Sequence, residues 1–75
     1  MVMSTETAAV AVGERVRLIM RDRGLSQTKL AADLGMAQSQ ISRRLDGKVV
    51  FNVQELVEIA RLLDVDPSVF LGRAA

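Results

Sequence analysis

The stretch LSQTKLAADLGMAQSQISRRLDG, residues 25–47, contains two short apolar repeats separated by a glycine. The apolar positions on either side of that glycine recur at helical spacing: Leu30, Ala31, Leu34, Ile41 and Leu45. A repeat of three to four residues predicts helices, and Gly35 between the two repeats predicts a sharp turn. The outer side of the second predicted helix carries glutamine, serine and arginine, so it is built for polar recognition rather than for packing.

Length and composition predict one small all-α domain. The chain has 75 residues, and 49% of them are apolar, which is enough for a compact core. It has no cysteine, no histidine and one proline. These counts remove disulfides and most zinc chemistry, and they favour packed helices. We expect no metal, no cofactor and no small-molecule ligand.

The spacing of apolar and capping residues predicts five helical segments after a loose N-terminal arm. The arm is residues 1–9, and one compact five-helix domain covers residues 10–75. The first helix is predicted from about Val10 to Arg23, and the third from Gln38 to about Asp46. The other three are predicted from their N-caps: Ser26, Asn52 paired with Glu55, and Asp66 before Pro67.

Charge is unevenly distributed, although the net charge is only +1. Between Gly13 and Lys48 there are eight basic residues and four acidic ones, whereas the remainder from Val49 onward is net acidic. Such asymmetry suits a domain whose first half approaches phosphates. No apolar run approaches the ~20 residues of a membrane span. The N-terminal residues lack the basic region of a signal peptide, so a cytoplasmic protein with no membrane partner is expected.

These residues resemble the helix-turn-helix of the lambda-repressor and Cro-like family, also called the XRE family. The resemblance covers roughly Val12 to Leu71. It rests on Leu25-Ser26-Gln27, Gly35-Met36, Gln38-Ser39, Ile41-Ser42-Arg43 ending at Gly47, Ile59-Ala60, Leu63 and Val65. It implies that helices two and three form the motif, with helix three in the major groove of double-stranded DNA.

The resemblance also implies roles for individual side chains. The base-reading set is Gln38, Ser39, Arg43 and Ser42. The phosphate or backbone set is Gln27, Lys48, Asn52 and Arg44. A glutamine amide matches the N6 and N7 edge of adenine, and an arginine matches guanine O6 and N7. Ordinary solvated roles compete for the serines, a cap competes for Asn52, and packing or solvent competes for Arg44. Arg15, Arg17 and Arg21 are expected on a solvated face.

Two positions depart from the family pattern. Many members pair an arginine late in helix one with a glutamate late in helix three, and here the corresponding residues are Met20 and Leu45. An apolar pair avoids the desolvation cost of a buried ion pair, so we expect a core variant of the same fold. Ala37, before helix three, lacks the side-chain oxygen of a good N-cap.

The expected function is transcriptional regulation, most simply repression by a phage Cro-like or prophage-repressor-like homodimer on a palindromic operator. The C-terminal region of Val69, Phe70 and Leu71 is the expected dimer contact, although for Phe70 itself a role in the domain core is preferred. An antitoxin or accessory subunit that binds both DNA and a partner protein is the second function. An enzyme is disfavoured because acid–base chemistry would rest on scattered carboxylates and lysines.

Overall fold

A computed structural model describes residues 4–72, which fold into four α-helices and a final 3-10 helix. The elements are α1 (Thr5–Arg23), α2 (Gln27–Leu34), α3 (Gln38–Leu45), α4 (Val53–Leu63) and the 3-10 helix Pro67–Leu71. The all-α prediction is confirmed, but the five-helix architecture needs correction, because the fifth segment is a single 3-10 turn. Within residues 4–72 no helix is both long enough and apolar enough to cross a membrane.

The first helix begins five residues earlier than predicted. Ser4 is its N-cap, and the Ser4 Oγ accepts a hydrogen bond from the Thr7 amide at 3.1 Å. Glu6 lies in the first turn, where a carboxylate interacts favourably with the helix dipole. The assignment of residues 5–9 to an arm is therefore wrong. Residues 1–3 of that arm, and residues 73–75 of the predicted domain, lie outside the described residues.

One apolar core joins all five elements. Its largest fully buried side chains are Val16, Leu30, Ile41, Leu45, Ile59 and Phe70. Met20 and Leu45 both belong to this cluster, with 3% and 1% of their surface exposed. The prediction that these two positions hold apolar core residues, in place of the family's ion pair, is confirmed.

Helix α1 passes unusually close to the end of α3, and Gly13 permits the approach. A Cβ atom at Gly13 would overlap the carbonyl oxygen of Leu45 and would lie 2.9 Å from the carbonyl oxygen of Arg44. A second close approach follows directly, because a Cβ at Gly47 would lie 2.7 Å from the Cα of Val10. The C-terminal end of α3 is thus held against α1 by backbone contact.

The 3-10 helix packs against α1 and α4 and adds Phe70 to the core. Asp66 is its N-cap, and the Asp66 Oδ1 accepts a hydrogen bond from the Ser68 amide at 2.9 Å. Hydrogen bonds from Ser68 hold the pKa of the Asp66 carboxyl below its ordinary value. Pro67 occupies the first helical position, as predicted, and Phe70 is fully buried.

Candidate nucleic-acid interface

Helices α2 and α3 form a tight helix–turn–helix unit. Ser26 caps α2, since its Oγ accepts a hydrogen bond from the Lys29 amide at 3.1 Å. Gly35 ends α2 in the left-handed conformation with φ +67°, and Met36 donates its amide to the Ala31 carbonyl at 2.9 Å. This is the αL helix ending that glycine favours. The turn leaves only Met36 and Ala37 between Gly35 and the start of α3.

Helix α3 divides cleanly into an inner and an outer side. Ile41 and Leu45 are buried, as predicted. Gln38, Ser39 and Arg43 are exposed, and none of their side chains hydrogen-bonds to another residue of the described part of the chain. Ser42 is half-buried beside them. The three exposed side chains are therefore available to an external partner on a rigidly anchored helix, whereas Ser42 is less accessible.

The start of α3 lacks a side-chain cap, as expected for Ala37. The Ala37 amide nevertheless has a hydrogen-bond acceptor, because it donates to the side-chain Oε1 of Gln40, three residues later, at 2.8 Å. Gln40 thereby supplies the glutamine half of a capping box whose other half alanine cannot provide. This bond partly compensates for the poor N-cap that Ala37 provides.

Gln27 is the first residue of α2, and the structure places it in a shallow hollow beside two arginines. Arg17 and Arg21 of α1 line this hollow together with Gln27 and Ser26. Arg17 also pairs with Asp46 at the end of α3, at 2.9 Å from Nη2 to Oδ1. The sequence pattern predicted a solvated face for both arginines. Arg21 is exposed, as that prediction requires, and folding brings both arginines next to the start of α2.

Lys48 and Asn52 lie in and beyond the loop that follows α3, and both are exposed. Asn52 is the predicted N-cap of α4: its Oδ1 accepts the Glu55 amide at 2.7 Å, and the Glu55 Oε1 accepts the Asn52 amide at 3.0 Å. The capping box is confirmed. The cap uses the Asn52 oxygen, so only its side-chain NH2 remains to donate to a phosphate.

Arg44 is placed differently from the other predicted phosphate contacts. Its side chain is only 17% exposed, and its Nε lies 3.2 Å from the Glu55 Oε1. Its Nη1 donates to the Gln40 carbonyl at 3.2 Å. The guanidinium is thus engaged inside the domain, which favours the packing alternative for Arg44 over a phosphate contact. Sequence reasoning could not find this pair, because the partners are eleven residues apart in different helices.

Gly13 also has a structural role that was not predicted from the sequence. It lies in the middle of a helical pattern, where glycine costs about 1 kcal/mol relative to alanine. An isolated glycine in such a place often marks close packing, so the signal was present in the sequence. Its structural effect is to set how near α1 comes to the end of α3.

Comparisons with known proteins agree with this geometry. A family model described as a helix-turn-helix domain matches residues 11–70. The crystal structure of the restriction-modification controller protein C.AhdI from Aeromonas hydrophila has a TM-score of 0.75 and 27% sequence identity. The alignment covers 83% of this chain and 94% of that chain. No curated protein sequence matches at a significant level.

The family match runs from α1 through the 3-10 helix, and the polar outer side of α3 lies where such a domain meets DNA. The resemblance to lambda-repressor and Cro-like domains is confirmed by the same two findings. The chain belongs to the helix-turn-helix domain family, and it is a DNA-binding transcriptional regulator of the XRE and Cro-like type.

Proposed function

We propose that this regulator is a repressor, of the phage Cro-like or prophage-repressor-like kind, that binds a palindromic operator as a homodimer in the cytoplasm. The observation that carries the proposal is the outer side of α3. Its exposed polar side chains have no partner within residues 4–72, while Ile41 and Leu45 anchor the opposite side in the core. An operator that overlaps a promoter would then exclude polymerase. The proposal includes no catalytic step.

Within this proposal Gln38 contacts an adenine edge, Arg43 contacts a guanine, and Ser39 contacts a neighbouring base. Each good bidentate contact contributes ~1–3 kcal/mol of discrimination. Ser42 has a minor role because it is half-buried. Gln27, Lys48 and the Asn52 amide group contact the phosphate backbone, and Arg17 and Arg21 add charge beside Gln27.

The proposed dimer contact uses Leu71 together with exposed apolar residues outside the predicted C-terminal set. Phe70 is fully buried, and Val69 is half-buried against the core. Leu71 remains 69% exposed, and Val53 at the start of α4 is 77% exposed. Both line one apolar hollow that also contains Val50. We therefore place the contact between two copies at this hollow, since specific affinity for a palindrome requires two linked domains.

Selection of bound sites from a random DNA pool tests the proposed function. We expect an enriched palindrome with half-sites about one helical turn, ~10 bp, apart. A Gln38→Ala/Arg43→Ala double variant is the matched control, because both side chains are exposed and their loss leaves the core intact. No enrichment by the wild-type chain, or equal enrichment by the double variant, would contradict the proposal.

The dimer is tested by comparing Val53→Glu with Leu18→Glu on the selected operator. Both substitutions add one carboxylate at an exposed apolar residue, and Leu18, 60% exposed on α1, does not line the hollow. Val53→Glu should abolish cooperative binding to the full palindrome and spare binding to a half-site. Leu18→Glu should behave like the wild type. Equal cooperativity in the two variants would place the interface elsewhere.

The likeness to a restriction-modification controller protein supports a second regulatory setting, in which the chain controls a restriction–modification gene pair. An antitoxin or accessory subunit would instead use the apolar hollow for a different protein. Mass measurement of the purified native complex separates a homodimer from an accessory subunit bound to a different protein. Two copies of this chain support the homodimer, and one copy with a different chain supports the accessory role.

A further inference from the structure

Arg44 and Glu55 connect α3 to α4. The Arg44 Nε lies 3.2 Å from the Glu55 Oε1, and the two side chains are only 17% and 16% exposed. Glu55 has a second task, because the same oxygen accepts the Asn52 amide at 3.0 Å. The carboxylate therefore closes the capping box of α4 and holds the guanidinium of α3 at once.

The connection continues through α3 to its first turn. Arg44 Nη1 donates to the Gln40 carbonyl at 3.2 Å, and the Gln40 side chain accepts the Ala37 amide at 2.8 Å. A chain of hydrogen bonds thus runs from the N-terminus of α3 to the N-terminus of α4. It stabilises the helix start that Ala37 cannot cap by itself.

Within residues 4–72 the backbones of α3 and α4 do not pack closely, so these two helices are joined through side chains. Helix α3 packs closely against α1 and α2, whereas α4 packs against α1, α2 and the 3-10 helix. The loop of residues 46–52, the apolar side chains of the shared core and the Arg44–Glu55 pair connect α3 to α4. A partly desolvated ion pair with shared hydrogen bonds has one preferred geometry, so it restricts rotation and tilt of α3.

We propose that Arg44 and Glu55 are a positioning pair, which sets the orientation of α3 for base contact while Arg44 touches no phosphate. The inference rests on the proposed role of α3 in reading the operator. A positioning role and a phosphate contact of Arg44 predict opposite effects on DNA affinity when Glu55 is neutralised. If Arg44 contacted a phosphate, neutralising Glu55 would release the arginine and remove a repulsive charge, so binding would tighten.

The test compares Glu55→Gln with Glu58→Gln. Glutamine at 55 keeps an oxygen for the Asn52 amide and loses the charge that faces Arg44. Glu58 lies on α4, lines the same open hollow as Arg44 and Glu55, and makes no hydrogen bond or ion pair within residues 4–72. Glu58→Gln therefore controls for the general effect of removing one negative charge.

We expect Glu55→Gln to weaken binding to the selected operator by about tenfold, as the coupling within a shared network implies. Glu58→Gln should leave affinity unchanged or raise it slightly. Arg44→Met, which keeps the apolar stem, should weaken specific binding. It should leave unchanged the salt slope, which is the slope of log affinity against log salt concentration, on a generic duplex. A fall of about one in that slope, or tighter binding by Glu55→Gln, would overturn the proposal in favour of a phosphate contact.

A measurement of stability without DNA tests the Arg44–Glu55 pair independently of the proposed function. The single variants and the Arg44→Met/Glu55→Gln double variant are unfolded with urea, and non-additive losses are expected because the two residues form one unit. Additive losses would refute the pair even if the operator were never found. Coupling in urea together with no selected site would reject the proposed function and leave the pair intact as a structural feature.

Discussion

Gly13→Ala gives a direct test of how the end of α3 is held. In an open helix this change would stabilise the protein by about 1 kcal/mol, because alanine has the higher helix propensity. Here the new Cβ would lie 2.8 Å from the Leu45 carbonyl carbon and 2.9 Å from the Arg44 carbonyl oxygen. Ordinary carbon–carbon contact is ~3.5–4.0 Å, so α1 and α3 must separate by roughly 0.7 Å or more.

The obstacle is backbone, which cannot move away as a flexible side chain can. Overpacking costs ~1–3 kcal/mol, and we place this site at the upper end. After the gain in helix propensity, the free energy of unfolding should fall by about 2 kcal/mol. For a domain of this size that corresponds to a melting temperature lower by ~8–16 °C. Specific DNA binding should also weaken, because the displaced end of α3 carries Arg43.

Urea and thermal unfolding followed by circular dichroism provide the assay, with Gly35→Ala as the comparison. Gly35 has φ +67° and nothing within 4 Å of an added Cβ, so its cost is conformational, ~1–2 kcal/mol. Gly35→Ala should therefore lose stability without moving α3 against α1. If Gly13→Ala is as stable as the wild type, or more stable, the close approach of α1 to α3 is wrong.

Three further substitutions test the remaining assignments. Gln38→Ala should relax discrimination at one base position by ~1–3 kcal/mol, measured on operator variants, and unchanged discrimination would remove its assigned role. Lys48→Ala should weaken binding to all duplexes alike and lower the salt slope by about one, whereas a sequence-dependent loss would point to a base contact. Leu45→Arg should unfold the domain, since it buries a charge beside Ile41 with no partner, and wild-type melting would show that the inner side of α3 is misassigned.

Much of the motif follows from local rules. The caps at Ser26 and Asn52, and the glycine ending at Gly35, depend on side-chain and backbone groups two to four residues apart, so they can be predicted from spacing. The inner residues Ile41 and Leu45 follow from helical periodicity in the same way. The start of α1 does not follow from apolar periodicity, because the residues directly after the Ser4 cap are small or polar.

Local sequence patterns predict the all-helical class, the helix–turn–helix unit and the polar composition of its outer side, because each depends on neighbours within about one helical turn. The Arg44–Glu55 pair and the contact between Gly13 and Leu45 emerge only when the helices pack together. Those outcomes depend on how separate helices cross and how closely they approach. Distances and angles between helices arise from packing of the whole core, which no local pattern encodes.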